Sequence, residues 1–264
     1  MAPIQPHDYV LKIDAHAYSM ALTLARLAGK QECMFLLLGE AGANVVRHVL
    51  LLPDQQVTPC SCNVSALSMS AAITEIDRLN DAREPKWVVL GWGHSHGELD
   101  VFHSATDVDT SAEITAQIGF ANRLTFEAPL SARLNDAGEL CVSLSPAEGE
   151  VVLQACGLAT RNVQAVRRIT SGFSYSLVVN ARGDTYAEVI TQPLSAAAPG
   201  TRHAARLHVL PAPLDEEPLR QEIERKLRSV RAVEQPVALL PAPAKEGLAL
   251  RVMGLCLATW RRWR

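Results

Sequence analysis

The segment from Gly93 to Asp107 concentrates residue types that hold metal ions. It reads His94-x-His96, seven residues, Ser104, two residues, Asp107. Alternate side chains on a strand share a face, so His94 and His96 present both imidazoles to the same side. Asp107 can come back to that point if a helix begins near Ser104. Two neutral imidazoles and a carboxylate form a zinc-compatible set. Three protein ligands leave the fourth tetrahedral position to water, which marks a catalytic rather than a structural centre.

Water on such an ion ionises at a pH of about 7, so hydroxide is available near neutrality. Attack on an amide also needs a carboxylate that takes the proton and later delivers it to the leaving amine. Glu32, at the start of an apolar run, is the candidate. Ser104, whose hydroxyl lies between the ligands in sequence, is placed to donate to the oxyanion; such donors contribute roughly 3–4 kcal/mol. Ser104 can also cap a helix starting at Ala105. His103 adjoins the motif, and its offset from Ser104 gives it a supporting or exposed place. Cys60-x-Cys62 lies in a loop with no partner pair of His or Cys nearby and reads as two ordinary thiols.

The pairing of Glu32 and Gly39 with His-x-His-x(7)-Ser-x-x-Asp resembles the JAMM (JAB/MPN+) zinc metalloprotease family. The likeness runs closely over Val10 to Asp107 and resumes at Phe173 to Thr191. It implies an α/β fold of the JAB/MPN type, a mixed β-sheet flanked by helices, here with an inserted β-rich region and a helical C-terminal extension. It implies Zn2+ held by His94, His96 and Asp107, with Glu32 as general acid/base and Ser104 as the oxyanion and water-positioning residue. It also implies cleavage after the C-terminal glycine of a ubiquitin-like protein, in deconjugation or precursor processing, by zinc-activated water. The architecture is similar to bacterial JAB proteins encoded with ubiquitin-like conjugation systems, so activating and conjugating enzymes are implied partners. Two positions depart from the family. Gly97 stands where many members have Pro, which would loosen the metal loop. Phe35 stands where members often have Gly, a matter of packing. A hydrolase of small amides or of sulfur-carrier protein precursors would share every catalytic residue. A non-catalytic scaffold of the same fold is a third reading, opposed by the presence of all the ligands.

Composition frames these readings. With 264 residues the chain can fill one core plus extra elements, or two small domains. Its 48% apolar and 20% charged residues are ordinary for a soluble globular protein. No apolar run approaches the roughly 20 residues of a membrane span. Met1 to Asp14 lacks the pattern of a secretory signal. Six scattered cysteines suit a reducing compartment, so the cytoplasm is expected. From Thr201 onward, 12 Lys and Arg stand against 7 Asp and Glu, a charge of +5 that leaves −8 for the first 200 residues. An acidic front part argues against a nucleic-acid surface there.

The elements that must position the motif follow from periodicity. Asp14 can cap a helix from Ala15 that Gly29 closes. Glu32 to Gly39 and Val45 to Leu52 read as buried strands, Ser65 to Leu79 as a helix, and Trp87 to Leu90 as a strand running into the His pair. Ser111 to Phe120 suggests a short helix. Three strand-like pieces lie between Leu124 and Leu153, with a turn at Asp136 to Gly138. Phe173 to Asn180 and Thr185 to Thr191 form a strand pair around Gly183-Asp184. Residues 1–195 are expected to form the catalytic domain, with an insertion at 122–172 that could shape substrate choice. Residues 196–264 are expected to form a linker and C-terminal extension. There Asp215-Glu216-Glu217-Pro218 starts a helix with a stripe of Leu219, Ile223, Leu227 and Val230. Pro236 to Ala244 separates that helix from Leu248 to Arg264, an apolar segment with a basic Trp/Arg end that packs on the protein, lies at a membrane surface or meets an acidic partner.

Overall fold

The computed structural model describes residues 9–119, 121–130, 132–134, 140–142, 150–155, 163–193 and 200–232. Strand β1 (Val10–Asp14) turns directly into helix α1 (Ala15–Ala28). Asp14 Oδ1 accepts the Ala17 N–H at 2.8 Å, and Gly29 ends the helix at φ 63°. Strands β2 (Met34–Glu40) and β3 (Val45–Leu51) pair antiparallel. The hairpin of β4 (Gln56–Thr58) and β5 (Ser61–Asn63) follows and carries Cys62. Helix α2 (Ala66–Asn80), capped by Ser65, leads to β6 (Trp87–Ser95), and α3 (Ala105–Ile118) comes next. Then come β7 (Arg123–Leu130), β8 (Ala132–Leu134), β9 (Leu140–Val142), β10 (Glu150–Ala155), β11 (Val163–Val179) and β12 (Thr185–Gln192). Strands β13 (Thr201–Ala204) and β14 (Arg206–Leu210), helix α4 (Glu216–Leu227) and the short β15 (Arg231–Ala232) complete the described chain.

The main sheet is mixed and runs β13-β12-β11-β6-β2-β3-β1-β14. Strand β6 pairs parallel with β11, and β1 pairs parallel with both β3 and β14. Both faces of its centre are covered, which is why β2 reads as a continuous apolar run. Phe35, Leu37, Val49 and Leu51 pack with α1 and with Leu219 and Ile223 of α4. Met34, Leu36, Leu38 and Leu50 pack on the other face with Ala72 of α2 and with Trp92. Leu227 and Val230 of the predicted stripe also pack against the first cluster. Among the described residues no helix is long and apolar enough to cross a membrane.

Three features differ from the sequence reading. Helix α3 starts at Ala105, as the Ser104 cap allowed, and takes in the piece read as a separate short helix from Ser111, because Ser104 and Asp107 form a reciprocal capping box there. The region read as an insertion becomes an arm built on the first half of β11. There β7 pairs from Gly172↔Arg123 to Ala165↔Leu130, and β10 pairs on the other edge. Past Gly172 the same strand enters the main sheet between β6 and β12. At roughly 3.3 Å per residue, Gly172 lies about 20 Å along β11 from Val178, the residue paired with His94. The arm therefore leaves the sheet at the end remote from the His pair.

The third difference concerns residues 196–264, read as linker and extension. Thr201–Leu210 are woven into the main sheet. Strands β13 and β14 are separated by Ala205 alone, yet they sit at opposite ends of the strand path, so the sheet curls on itself. Ala205 N–H donates to the Ala187 carbonyl and Arg206 N–H to the Tyr9 carbonyl, both at 2.9 Å. The helical extension corresponds to α4. The turn at Asp136 to Gly138, most of Leu194 to Thr201, Pro236 to Ala244 and Leu248 to Arg264 lie outside the described residues.

Candidate metal centre

The pleat of β6 does what the alternation predicts. His94 and His96 share a face, with their Nε2 atoms 3.0 Å apart. The capping box folds Asp107 back to them. Ser104 N–H donates to Asp107 Oδ2 at 2.7 Å, and that oxygen lies 3.6 Å from His94 Nε2. Glu32 arrives from the segment before β2, with Oε1 3.8 Å from His94 Nε2. All four are buried. Zinc–ligand bonds of about 2.0–2.1 Å imply tetrahedral ligand–ligand edges of about 3.3 Å. The 3.0 and 3.6 Å separations bracket that edge.

Electrostatics also suit a cation. Burial holds His94 below its ordinary range, so the ring stays neutral, the form that binds metals. His96 donates Nδ1–H to the Asp100 carbonyl at 2.6 Å, which leaves the Nε2 lone pair facing His94. Burial, and then the negative charge of Asp107, push Glu32 up to about 7. Two acidic side chains confined beside two buried imidazoles favour a positive charge between them. Glu32, His94 and His96 offer ligand atoms within 4.8 Å of one another, and so do His94, His103 and Asp107. The donor types fit zinc, and His94 links the two groups, although His96 and Asp107 do not share one.

Ser104 Oγ accepts the Asp107 N–H at 3.3 Å, so its place at the head of α3 is first that of a cap. Accepting that bond leaves the hydroxyl's own proton to be donated. The loop from Gly97 to Ser104 is well tied. Gly97, at φ +54°, lies so close to the Gly29 carbonyl that a Cβ would collide with it. Its own carbonyl accepts Ala181 N–H at 2.7 Å. Glycine at this position lets the loop pack tightly, contrary to the expected loosening. Phe35 is fully buried against Gly93, where no side chain could fit.

Sequence reasoning missed several supports. Ser95, between the two His, points to the opposite side. Its Oγ accepts Cys33 N–H at 3.0 Å and donates to the Gln31 carbonyl at 3.2 Å, clamping the segment that carries Glu32. Buried Gln55 accepts Met34 N–H and donates to the Met34 and Leu52 carbonyls. The alternation that pairs His94 with His96 was the available signal for Ser95; nothing local marks Gln55. Of the supporting and exposed places expected for His103, the exposed one does not hold, because its side chain is only 1% exposed. Burial lowers its pKa as well. Cys33, Cys60 and Cys62 are free thiols.

Residues 14–134 match the family described as prokaryotic homologs of the JAB domain. The chain is 32% identical over 103 residues to the "Lys-63-specific deubiquitinase BRCC36" of Xenopus tropicalis. It is 31% identical over 103 residues to the protein of the same name in Xenopus laevis. Each match covers 38% of this chain and 40% of the relative, so the chain spans about two fifths of the length of these curated relatives. Among solved structures it is similar to the solution structure of protein DSY2949 from Desulfitobacterium hafniense. That likeness has a TM-score of 0.41 and 13% identity and covers 77% of this chain and 94% of that one. At that score it bears on neither fold nor function.

Proposed function

Starting from a chain that belongs, through residues 14–134, to the JAB/MPN family, we propose that it is a zinc-dependent isopeptidase or peptidase. Its substrate in this reading is a ubiquitin-like protein, cut after the C-terminal glycine. The observation that carries the reading is the gathering of Glu32, His96 and Asp107 around the buried ring of His94. His94, His96 and Asp107 would hold the ion. Zinc there would bring the pKa of a bound water down to about 7 and polarise the scissile carbonyl.

The chain's own groups carry the rest. Glu32 takes the proton released in the attack and returns it to the leaving amine. Ser104 donates its hydroxyl proton to the oxyanion. The N-terminal turn of α3 adds the positive end of its dipole beside Asp107. Ser95 and Gln55 hold Glu32 in register with the His pair. The loop between the second His and Ser104 also exposes Leu99 and Phe102, at 50% and 51%, as apolar contacts for a substrate tail. Support for a ubiquitin-like substrate comes from relatives named as deubiquitinases. In this reading activating and conjugating enzymes of the same pathway are partners and the cytoplasm is the compartment.

Purified protein incubated with isopeptide-linked ubiquitin dimers, and with ubiquitin bearing a C-terminal peptide, tests this. Cleavage should stop on chelation and return with zinc, and His96→Ala should lose both metal and activity. Zinc-loaded protein that hydrolyses small amides but no ubiquitin-like conjugate would transfer the reading to the small-amide alternative. Protein that takes up no zinc would end it.

A further inference from the structure

We propose that Asn180 is a positioning residue for the metal centre: acting through the loop after β6, its side-chain amide fixes which nitrogen of His96 faces the ion. The inference rests on the zinc reading above. Strand β11 runs parallel beside β6, with Val179 opposite Ser95, so Asn180 emerges next to His96. Although it opens the turn to β12, Asn180 is fully buried. Every polar group of its amide is used. Nδ2 donates to the Leu99 carbonyl at 3.0 Å and to Asp184 Oδ2 at 2.9 Å, and Oδ1 accepts the Asp184 N–H at 2.9 Å. Two donors and an acceptor so arranged are what an amide offers and a carboxylate lacks.

From Leu99 the connections lead straight to the ligand. Leu99 N–H donates back to the His96 carbonyl at 2.8 Å. One peptide on, the Asp100 carbonyl accepts His96 Nδ1–H at 2.6 Å. That bond keeps the ring proton on Nδ1 and leaves Nε2 bare, 3.0 Å from His94 Nε2. Once the Leu99 carbonyl is released, the Leu99–Asp100 peptide can rotate and the Asp100 carbonyl leaves the ring. The proton is then free to settle on Nε2, where it blocks metal binding.

Two other ties join the same turn to the loop, and neither does this work. Ala181 N–H donates to the Gly97 carbonyl at 2.7 Å, which anchors the start of the loop but leaves the Leu99–Asp100 peptide free. Arg182 Nη2 donates to Asp100 Oδ1 at 2.7 Å, but those side chains are 52% and 88% exposed, where an ion pair contributes little. The buried amide sets the loop. It reaches the ion only through His96, so the water position stays open.

Asn180→Asp keeps the shape of the side chain and its Oδ1 acceptor but turns an oxygen toward the Leu99 carbonyl. In metal-free protein, histidine ring-nitrogen resonances read the tautomers directly. Wild-type His96 should carry its proton on Nδ1. In Asn180→Asp its resonances should move toward the Nε2-protonated form, while those of His48, stacked on Trp87, stay in place. Zinc affinity should fall by about 10-fold or more, within the roughly 10–100-fold expected for a lost outer partner. Arg182→Ala should leave both readouts as in the wild type. A wild-type His96 protonated on Nε2, an unmoved His96 ring in Asn180→Asp, or equal changes in Arg182→Ala overturn the inference and leave the zinc reading standing. Wild-type protein that binds no zinc overturns both. If Asn180→Asp fails to fold, Asn180→Ala is read in its place, and if that also fails the wild-type tautomer decides alone.

Discussion

Two tryptophan–histidine stacks occupy opposite ends of β6, and only one has the makings of a metal site. Trp87 stacks with His48 at 5.5 Å, and Trp92 stacks with His94 at 5.1 Å. Both tryptophans pack on the same core cluster, and both histidines are buried with a ring nitrogen lacking a hydrogen-bond partner. What separates them is the company they keep. His94 has the carboxylates of Glu32 and Asp107 within 3.8 Å. His48 is influenced by the cations Lys226 and Arg83 and by His16, with Glu222 alone acting the other way. Burial and ring stacking are therefore common to the two histidines, and what sets His94 apart is its pair of converging carboxylates.

The largest effect expected from this contrast is at the carboxylate end. Glu32→Gln should lower turnover by about 10²–10⁴-fold while zinc content stays stoichiometric. Rate and metal analysis on the same sample check it, and full-rate hydrolysis would remove the acid/base assignment.

The other stack should show itself in stability. Burial, then Lys226, lowers His48 to about 4. The unfolded chain protonates it near 6.5, so the unfolded state binds more protons between those values and stability rises with pH there. The contribution is complete above about 6.5 and declines by up to roughly 3 kcal/mol as pH falls toward 4. Denaturant midpoints at pH 7 and pH 5 should differ less in His48→Leu than in the wild type. An unchanged difference would mean that His48 does not carry the slope.

The smallest effect belongs to Ser95, which serves one stack only indirectly. Ser95→Ala leaves the Cys33 N–H and the Gln31 carbonyl without their partner, a loss of about 1–3 kcal/mol. Turnover should fall with zinc affinity unchanged, because the displaced group is Glu32. Equal losses of affinity and turnover would instead place the disturbance at His94 and His96.

Much of the JAB/MPN fold was legible because it is encoded locally. Asp14 and Ser65 cap the helices that the sequence suggests, and the apolar run of β2 declares its double burial. The convergence of His94, His96 and Asp107 rests on strand alternation and on a capping box, both of which act within a few residues. What stayed hidden depends on distant partners. His103 is enclosed by Tyr186 and Glu188 of β12, which no local spacing could reveal. Strands β13 and β14 are largely exposed or half-buried, so they lack the apolar alternation that marks β2 and β3. The first half of β11 was not joined to Phe173–Asn180 because Ser171-Gly172 interrupts the pattern; the strand passes from exposed Arg168 and Thr170 to an unbroken buried run from Ser171.

The curl closed through Ala205 also bears on how the chain can be divided. A chain ended at residue 195 would lack β13 and β14 together and would bare the β12 and β1 margins in one cut. Rows of unmatched main-chain donors and acceptors on both flanks invite strand exchange with neighbouring molecules. Thr201–Leu210 thus act as a seam that keeps the sheet from adhering to its own copies.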